Sequence, residues 1–279
     1  MNYKNLIAIP IILIVLSLVY LFYTISTTGL NLDIDLKGGT QIVAGSQKPI
    51  EEKAIENVLR PYDASVRIAK GISDYTVFIN FDASIDSKNV LKTLKENGYD
   101  FKDYSIQTVG TTLGEAFFTQ ALTALAFAFL CMAIAAFLIF RKPVLSLRII
   151  FSAFADIVET FMLSQIIGIK LSLATFAALL LIIGYSADDD VMLTARVIKG
   201  TGEVKERIKR ARRTAFTMVG TTVVALFALF IITESVVIDQ IASIMLIGLM
   251  FDLINTWLFN APILRWYVER GLNEVKSKV

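Results

Sequence analysis

The fold of this chain is decided by the stretch from Leu171 to Arg196, LSLATFAALLLIIGYSADDDVMLTAR. It begins as an apolar run long enough to enter a bilayer, and near its end Asp188, Asp189 and Asp190 follow one another. An acid at membrane depth costs about 2.5–3.5 kcal/mol on insertion scales, and such acids usually face a bundle interior or a water path. We therefore expect this stretch to carry the function of the protein.

The composition is that of a membrane protein. The chain has 279 residues and is 55% hydrophobic, above the roughly 45–50% typical of soluble domains. A membrane-spanning helix needs about 20 apolar residues, and a polytopic α-helical membrane protein with six transmembrane helices is predicted. We do not expect the first run to be a cleaved signal peptide, because it is too long and no small-x-small site follows it. The predicted spans are Leu6–Ile25, Ala116–Phe140, Ile149–Ile169, Leu171–Thr194, Ala215–Ile232 and Ile238–Ile263.

The residue counts argue against an enzyme. There is no His, and Cys131 is the single Cys, which excludes a Cys–His nucleophile, a Cys/His zinc site and an intrachain disulfide. Neither a nucleophile elbow nor a phosphate loop is present. We expect no catalytic residue, no cofactor and no metal, and we expect Cys131 to pack as a small apolar side chain.

The orientation follows from the loops, because Lys and Arg concentrate on the cytoplasmic side. Basic residues crowd the segments after the second and fourth runs and the C-terminal tail, whereas the alternate loops hold only Lys170. Both termini are thus predicted in the cytoplasm and residues 30–115 outside, in a plasma-membrane protein. The basic cluster around Arg207 could bind nucleic acid or anionic lipid, but we interpret it as a topology signal with a short surface helix.

Three domains are predicted: residues 1–29 as the first transmembrane helix, 30–115 as an extracytoplasmic domain, and 116–279 as a five-helix bundle. The outer segment shows a β-α-β-β-α-β order, typical of a ferredoxin-like α+β domain. One face of its sheet would stay free of helices. Its elements are a strand over Gly38–Gly45, a helix over Ile50–Tyr62, strands over Ala64–Lys70 and Asp74–Phe81 around a turn at Gly71–Ser73, a helix from Asp86 to Asn97, and a strand over Tyr104–Val109.

Further acids lie in other runs. Asp156 and Glu159 share a polar stripe with Ser152 and Thr160, and Asp252 shares one with Asn255, Thr256 and Asn260. With a helix rise of ~1.5 Å per residue, these acids and Asp188 can form one layer. No Lys or Arg is predicted at that depth. Unpaired carboxyl groups in a low dielectric are protonated part of the time, as a proton relay requires. The alternative is that Asp252 and Glu159 only hydrogen-bond to neighbours.

The three consecutive acids cannot all face inward, because they point about 100° apart on a helix. Asp190 is nearest the cytoplasm and is expected to be the most easily solvated. Tyr185 lies on the side of Asp188 and Asp189, and the small Gly184 and Ser186 would allow close approach of another helix.

Three motifs together resemble the SecF family, membrane subunits of the Sec export machinery in the RND superfamily. Gly184-Tyr185-Ser186-Ala187-Asp188-Asp189-Asp190-Val191 with Arg196 is similar to the fourth-helix signature of SecF. The stretch from Asp35 through Gly38 and Gly39 resembles the motif after the first helix, and the stretch from Gly110 to Gly114 resembles the entry to the second. The acids depart from the bacterial Y-S-x-N-D-T pattern and look more like the archaeal Y-S-x-D-x-D. Thr111 replaces the usual Pro.

The resemblance implies a partner, SecD, and work with the Sec translocation channel on exported polypeptides, driven by an ion gradient of H⁺ or Na⁺. It leaves Asp188 or Asp189 as the principal carboxylate, with Asp188 the first choice. A half of an RND-type drug or lipid transporter is the alternative function, and a scaffold for other membrane proteins is a third. Lipids surround the chain, and no nucleic-acid partner is expected.

Overall fold

The chain is mostly helical and carries one small antiparallel sheet. The computed structural model describes residues 3–70, 75–101, 103–233 and 235–276. The elements, in chain order, are α1 Tyr3–Thr27, α2 Ile34–Lys37, β1 Gly39–Ser46, α3 Glu52–Val58, a 3₁₀ turn Arg60–Tyr62, β2 Ser65–Lys70, β3 Tyr75–Phe81, α4 Ser87–Glu96, β4 Tyr104–Val109, α5 Thr111–Phe140, α6 Pro143–Ile167, α7 Leu173–Lys199, α8 Val204–Ile232, α9 Val236–Asn255, a π-helical turn Thr256–Asn260, and α10 Ala261–Lys276.

Among the described residues, four helical segments are long and apolar enough to cross a membrane. They cover Leu6–Thr27, Thr111–Phe140, Val204–Ile232 and Val237–Gly271. The last is one continuous rod of α9, the π turn and α10, and α8 extends the predicted span backward through the basic segment. All-round hydrophobicity is what allows such helices to contact lipid.

The other two predicted spans are α6 and α7, which form helices of 25 and 27 residues but carry most of the acids. Pro143 stands at the start of α6, and Gly168 ends it with a left-handed φ of 83°. Ser172 and Thr175 form a reciprocal capping box at the start of α7. Gly168 and the capping box therefore give the end of α6 and the start of α7 sharp limits at one side of the bundle, and Pro143 marks the opposite end of α6.

The outer segment has the predicted order of strands and helices. The sheet order is β2-β3-β1-β4, and each neighbouring pair is antiparallel. α3 and α4 cover one face, where Ile42, Val77 and Ile79 of the sheet meet Ile55 and Leu94 of the helices. The predicted helix over Ile50–Tyr62 is shorter than expected, since it ends at Val58 and gives way to a 3₁₀ turn. The turn predicted at Gly71–Ser73 lies outside the described residues.

The second face of the sheet, predicted to stay free of helices, is contacted at β2, whereas Ser105 and Gln107 of β4 on the same face are exposed. Arg67 of β2 forms an ion pair with Asp239 of α9, with 3.2 Å between Nη2 and Oδ2. Lys170, in the loop between α6 and α7, donates from Nζ to the hydroxyl of Ser65 at 2.9 Å. Strand β2 therefore contacts the start of α9 and the loop between α6 and α7.

The chain passes between the outer domain and the helices through two glycines in contact. A Cβ on Gly38 would lie 2.6 Å from the Cα of Thr111, and a Cβ on Gly114 would lie 2.5 Å from the nitrogen of Gly38. Gly38 also has a φ of 80°, which L side chains rarely adopt. The start of α5 therefore packs backbone to backbone against the end of α2.

A buried cluster of carboxyl groups as the candidate functional site

Polar side chains meet inside the bundle where α6, α7 and the α9–π–α10 rod pack together. Each of these three helical elements has one polar stripe that faces inward, and each contributes side chains to the cluster. Its fully or almost fully buried members are Arg148, Ser152, Asp156, Glu159, Ser186, Asp189, Asp190, Thr194, Asp252, Asn255, Thr256 and Asn260. Burying so many polar groups is costly unless they bond to one another.

One half of the cluster is centred on Asn255. Its amide nitrogen donates to Oδ1 of Asp156 at 2.7 Å and to Oε2 of Glu159 at 2.8 Å. The hydroxyl of Ser186 donates to the other oxygen of Asp156 at 2.6 Å. One amide thus links two carboxyl groups of α6, and a small residue of α7 approaches from the opposite side.

The other half is centred on Asp190, which is completely buried. The amide nitrogen of Asn260 lies 2.5 Å from each of its carboxyl oxygens, and the hydroxyl of Thr256 lies 3.3 Å from Oδ1. Both donors belong to the π turn, in which the Ala261 N–H bonds to the Thr256 carbonyl five residues back. Pro262 has no N–H to continue the α-helical pattern, and π turns often occur at functional sites.

A basic residue does lie at this depth, contrary to the prediction that none would. Arg148 is only 4% exposed, although its position near a basic loop suggested a topology signal. It donates to the backbone carbonyl of Asn260 at 3.1 Å and to the hydroxyl of Thr194, which in turn donates to the Asp190 carbonyl. Arg148 and Asp190 therefore share two neighbours, Asn260 and Thr194.

Several buried oxygens in the cluster have no hydrogen-bond partner among the described residues. They include Oε1 of Glu159, Oδ2 of Asp189 and Oδ2 of Asp252. The hydroxyl of Thr256 lies at a long 3.4 Å from the other oxygen of Asp252. A buried carboxyl oxygen without a donor is costly, above all when the group is charged, and a bound proton removes that charge. The geometry suits groups that gain and lose protons.

The three consecutive acids separate as their helical angles require, but not in the predicted order. Asp189 and Asp190 are buried. Asp188 is exposed on the face of α7 that points away from the bundle, together with Gly184 and Tyr185. Asp190 is thus the most enclosed of the three, not the most easily solvated. Ser186 points inward to Asp156, so it does not belong to the outer face with Tyr185.

The remaining motif residues fix the ends of α7. Asp35 accepts a hydrogen bond from the backbone of Leu173, the first residue of α7. Asp33 accepts from the Asn80 amide at 2.9 Å, and its N–H donates to the Leu171 carbonyl at 2.7 Å. At the other end Arg196 donates to the Thr214 hydroxyl of α8 at 2.6 Å. Gly39 begins β1, Gly110 precedes α5, and none of Gly39, Gly110 and Arg196 belongs to the buried cluster of acids.

Comparison with known proteins identifies the chain. The sequence model of the family described as "Protein export membrane protein SecD/SecF, C-terminal" matches residues 89–270. Two relatives, both named protein-export membrane protein SecF, match almost end to end. The protein of Methanolacinia petrolearia is 35% identical over 96% of this chain and 95% of its own, and that of Methanocaldococcus jannaschii is 36% identical over 96% of each. This chain belongs to the SecF family of protein-export membrane proteins.

The fold of this SecF-family chain also matches solved structures. SecDF of Thermus thermophilus, described as a translocon-associated membrane protein, superposes with a TM-score of 0.73 at 18% identity over 96% of this chain. A structure of SecDF in a super-membrane-facing form gives 0.59 at 17% identity. This chain spans 38% and 39% of those two chains. Membership of the family gives the chain an auxiliary role in Sec-dependent protein export.

Proposed function

We propose that the chain is the SecF half of a pair with SecD, which uses an ion gradient to assist the passage of polypeptides through the Sec channel. The observation that carries this proposal is the buried cluster. Five acids, Asp156, Glu159, Asp189, Asp190 and Asp252, are enclosed in one polar layer among helices. Intramembrane acids in that arrangement are typical of proton relays.

We propose six transmembrane helices, with α6 and α7 added to the four apolar segments. Both are long enough at 25 and 27 residues. All their acids except Asp188 face the cluster, so most of the charges that lower their hydropathy do not contact lipid. The basic residues at one end of the bundle put that end, and both termini, in the cytoplasm. Residues 30–115 then lie outside, and 116–279 hold five of the six spans.

The outer domain is ferredoxin-like in this proposal. Its support is the β-α-β-β-α-β order combined with the antiparallel strand order β2-β3-β1-β4. The domain rests on the helices through Arg67–Asp239 and Lys170–Ser65. It thus touches the outer ends of the helices that carry the acids, and a change in the cluster can be transmitted to it directly.

Protons are the coupling ion in this proposal. The amides of Asn255 and Asn260 already occupy oxygens of Asp156, Glu159 and Asp190, and a metal cation would have to displace them. Within the part of the chain that the structure describes, no group of three acids is close enough to hold a metal ion. A proton needs no such cage, and Arg148 compensates the charge left on Asp190 when the proton leaves.

Two open features fit a SecD partner. On the outer face of α7, Asp188 and Tyr185 are exposed beside Gly184, and a carboxylate facing lipid is costly. A partner helix at Gly184 would cover it. Outside, β4 is an edge strand of six residues, YSIQTV, without charge or Pro. Such unprotected edges pair readily with another strand.

The proposed function is tested by measuring export in membrane vesicles that contain SecD and the Sec channel. We expect Asp190→Asn and Asp156→Asn to abolish the part of export that depends on the gradient, while assembly with SecD persists. Asn keeps the shape of Asp but carries no proton. Asp82→Asn, an exposed change in the outer domain, is the matched control and should leave export unchanged. Wild-type export by both cluster variants would contradict the proposal.

A further inference from the structure

A groove opens at the basic end of the bundle, away from the acid cluster. It has a volume of about 690 Å³ and lies between the ends of α5 and α7, the start of α6, and α10. Its walls are mostly apolar, with Ile139, Val144 and Trp266 among the exposed residues that line it. A volume of this size is in the range of ligand sites, about 300–1,000 Å³.

The groove carries positive charge at its mouth. Lys142, Lys199 and Arg270 line it, and no acid does. The guanidinium of Arg270 sits 5.5 Å from the ring centroid of Trp266, a cation–π contact that holds it at the edge of the apolar wall. The nearby Glu269 is engaged by Arg265 at 2.6 Å. Among the described residues, neither lysine forms an ion pair.

We propose that this groove binds one phospholipid with an anionic headgroup. Lys142 and Lys199 would hold the phosphate and the headgroup, and the apolar walls would receive the first part of an acyl chain. Basic pockets between helices at the cytoplasmic surface are suited to such headgroups, and Trp side chains prefer the level at which headgroups lie. The proposal does not depend on proton coupling or on the SecD partner.

An apolar groove in a membrane protein meets lipid of any kind, so the charge is what must be tested. The chain has two Trp residues, and Trp257→Phe leaves Trp266 in the groove as the only one. The full chain would be placed in phosphatidylcholine vesicles containing dibrominated phosphatidylglycerol or, separately, dibrominated phosphatidylcholine. Quenching of Trp266 fluorescence then reports which lipid occupies the groove.

We expect the brominated anionic lipid to bind more tightly than the zwitterionic one, by roughly fivefold for each lysine that contacts it. The double variant Lys142→Gln/Lys199→Gln should lose both contributions, so its preference for the anionic lipid should fall by roughly 25-fold. The matched control is Lys205→Gln/Lys209→Gln, which removes the same charge from exposed positions of α8 at the same end; it should keep the preference.

Three results would overturn the proposal. Equal quenching by the two lipids would mean that the groove does not select charge. If both double variants lost the preference for anionic lipid equally, the general positive potential of this end of the protein would explain it, and the groove would not. Absence of quenching by either lipid would show that the groove is covered, by the end of this chain or by another protein.

Discussion

The amide nitrogen of Asn260 lies 2.5 Å from both carboxyl oxygens of Asp190, while the backbone carbonyl of the same Asn260 accepts a hydrogen bond from Arg148. One residue of the π turn thus contacts a buried acid with its side chain and a buried base with its main chain. A change in the charge of Asp190 therefore acts directly on the hydrogen bonds of the turn that joins α9 to α10.

Loss of Arg148 should destabilise the fold more than loss of an exposed arginine. Arg148→Met leaves the Asn260 carbonyl and the Thr194 hydroxyl without their donor, at a cost of about 1–3 kcal/mol. Arg196→Met, which removes one exposed hydrogen bond to Thr214, should stay within about 0.5 kcal/mol. Thermal unfolding of the purified proteins in detergent measures both, and an equal effect would contradict the burial of Arg148.

The pairing of Arg148 with Asp190 can be isolated by a double-mutant cycle. If they form one network, the change in the free energy of unfolding of the double variant should differ from the sum of the changes in Arg148→Met and Asp190→Asn by more than about 0.5 kcal/mol. The double variant should be more stable than the sum predicts, because no unpaired buried charge remains. Strict additivity would mean that Arg148 and Asp190 act independently.

The arginine could have been found in the sequence. Arg148, Ser152, Asp156 and Glu159 follow one another at spacings of four, four and three, which places them on one helical face. The stripe predicted from the sequence begins at Ser152 and leaves out Arg148, because a basic residue beside a loop is also a topology signal. The same spacing joins Ser186, Asp190 and Thr194 and indicates that Asp190 faces inward.

Other features depend on contacts that sequence patterns do not contain. The strand Tyr104–Val109 was predicted with its observed limits, because alternation and a following Gly mark it. That the second face of the sheet meets α9 and the α6–α7 loop depends on how two parts of the chain pack. The contact between Gly38 and Gly114 has the same origin, although both glycines were singled out in the motifs.

That contact yields a prediction for α5. Gly114→Ala places a methyl group 2.5 Å from the backbone nitrogen of Gly38, and relief of the clash requires the backbone to move, at about 1–3 kcal/mol. Gly110→Ala belongs to the same motif, but its Cβ would meet nothing within 4 Å, so it should change stability by no more than about 0.5 kcal/mol. Thermal unfolding of the two variants compares them, and equal stability would refute the close approach.

Asp35 should make stability depend on pH. Burial, together with the charge of Asp33, raises the pKa of Asp35 above its ordinary value of 3.8. The folded state therefore binds the proton more tightly than the unfolded state, so the contribution of Asp35 falls as the pH rises from 3.8 through the raised pKa. Asp35→Asn still accepts from the Leu173 N–H but does not titrate. Its stability relative to the wild type should therefore increase as the pH rises across that window.

The control for this pH effect is Asp35→Ala, which also lacks the titrating group but loses the acceptor at the start of α7. It should be less stable than Asp35→Asn by about 1 kcal/mol at every pH. The measurement is thermal unfolding at a series of pH values from 4 to 8. A difference between Asp35→Asn and the wild type that does not change with pH would contradict the raised pKa.

The most direct test of the central claim is proton entry into liposomes that contain this chain together with SecD. A pH-sensitive dye inside the liposomes reports the flux when a membrane potential is applied. We expect wild-type protein and Asp82→Asn to conduct protons and Asp190→Asn to conduct none, since the buried carboxyl group is the carrier. Wild-type flux through the Asp190→Asn variant would contradict the assignment of a proton relay to the buried cluster.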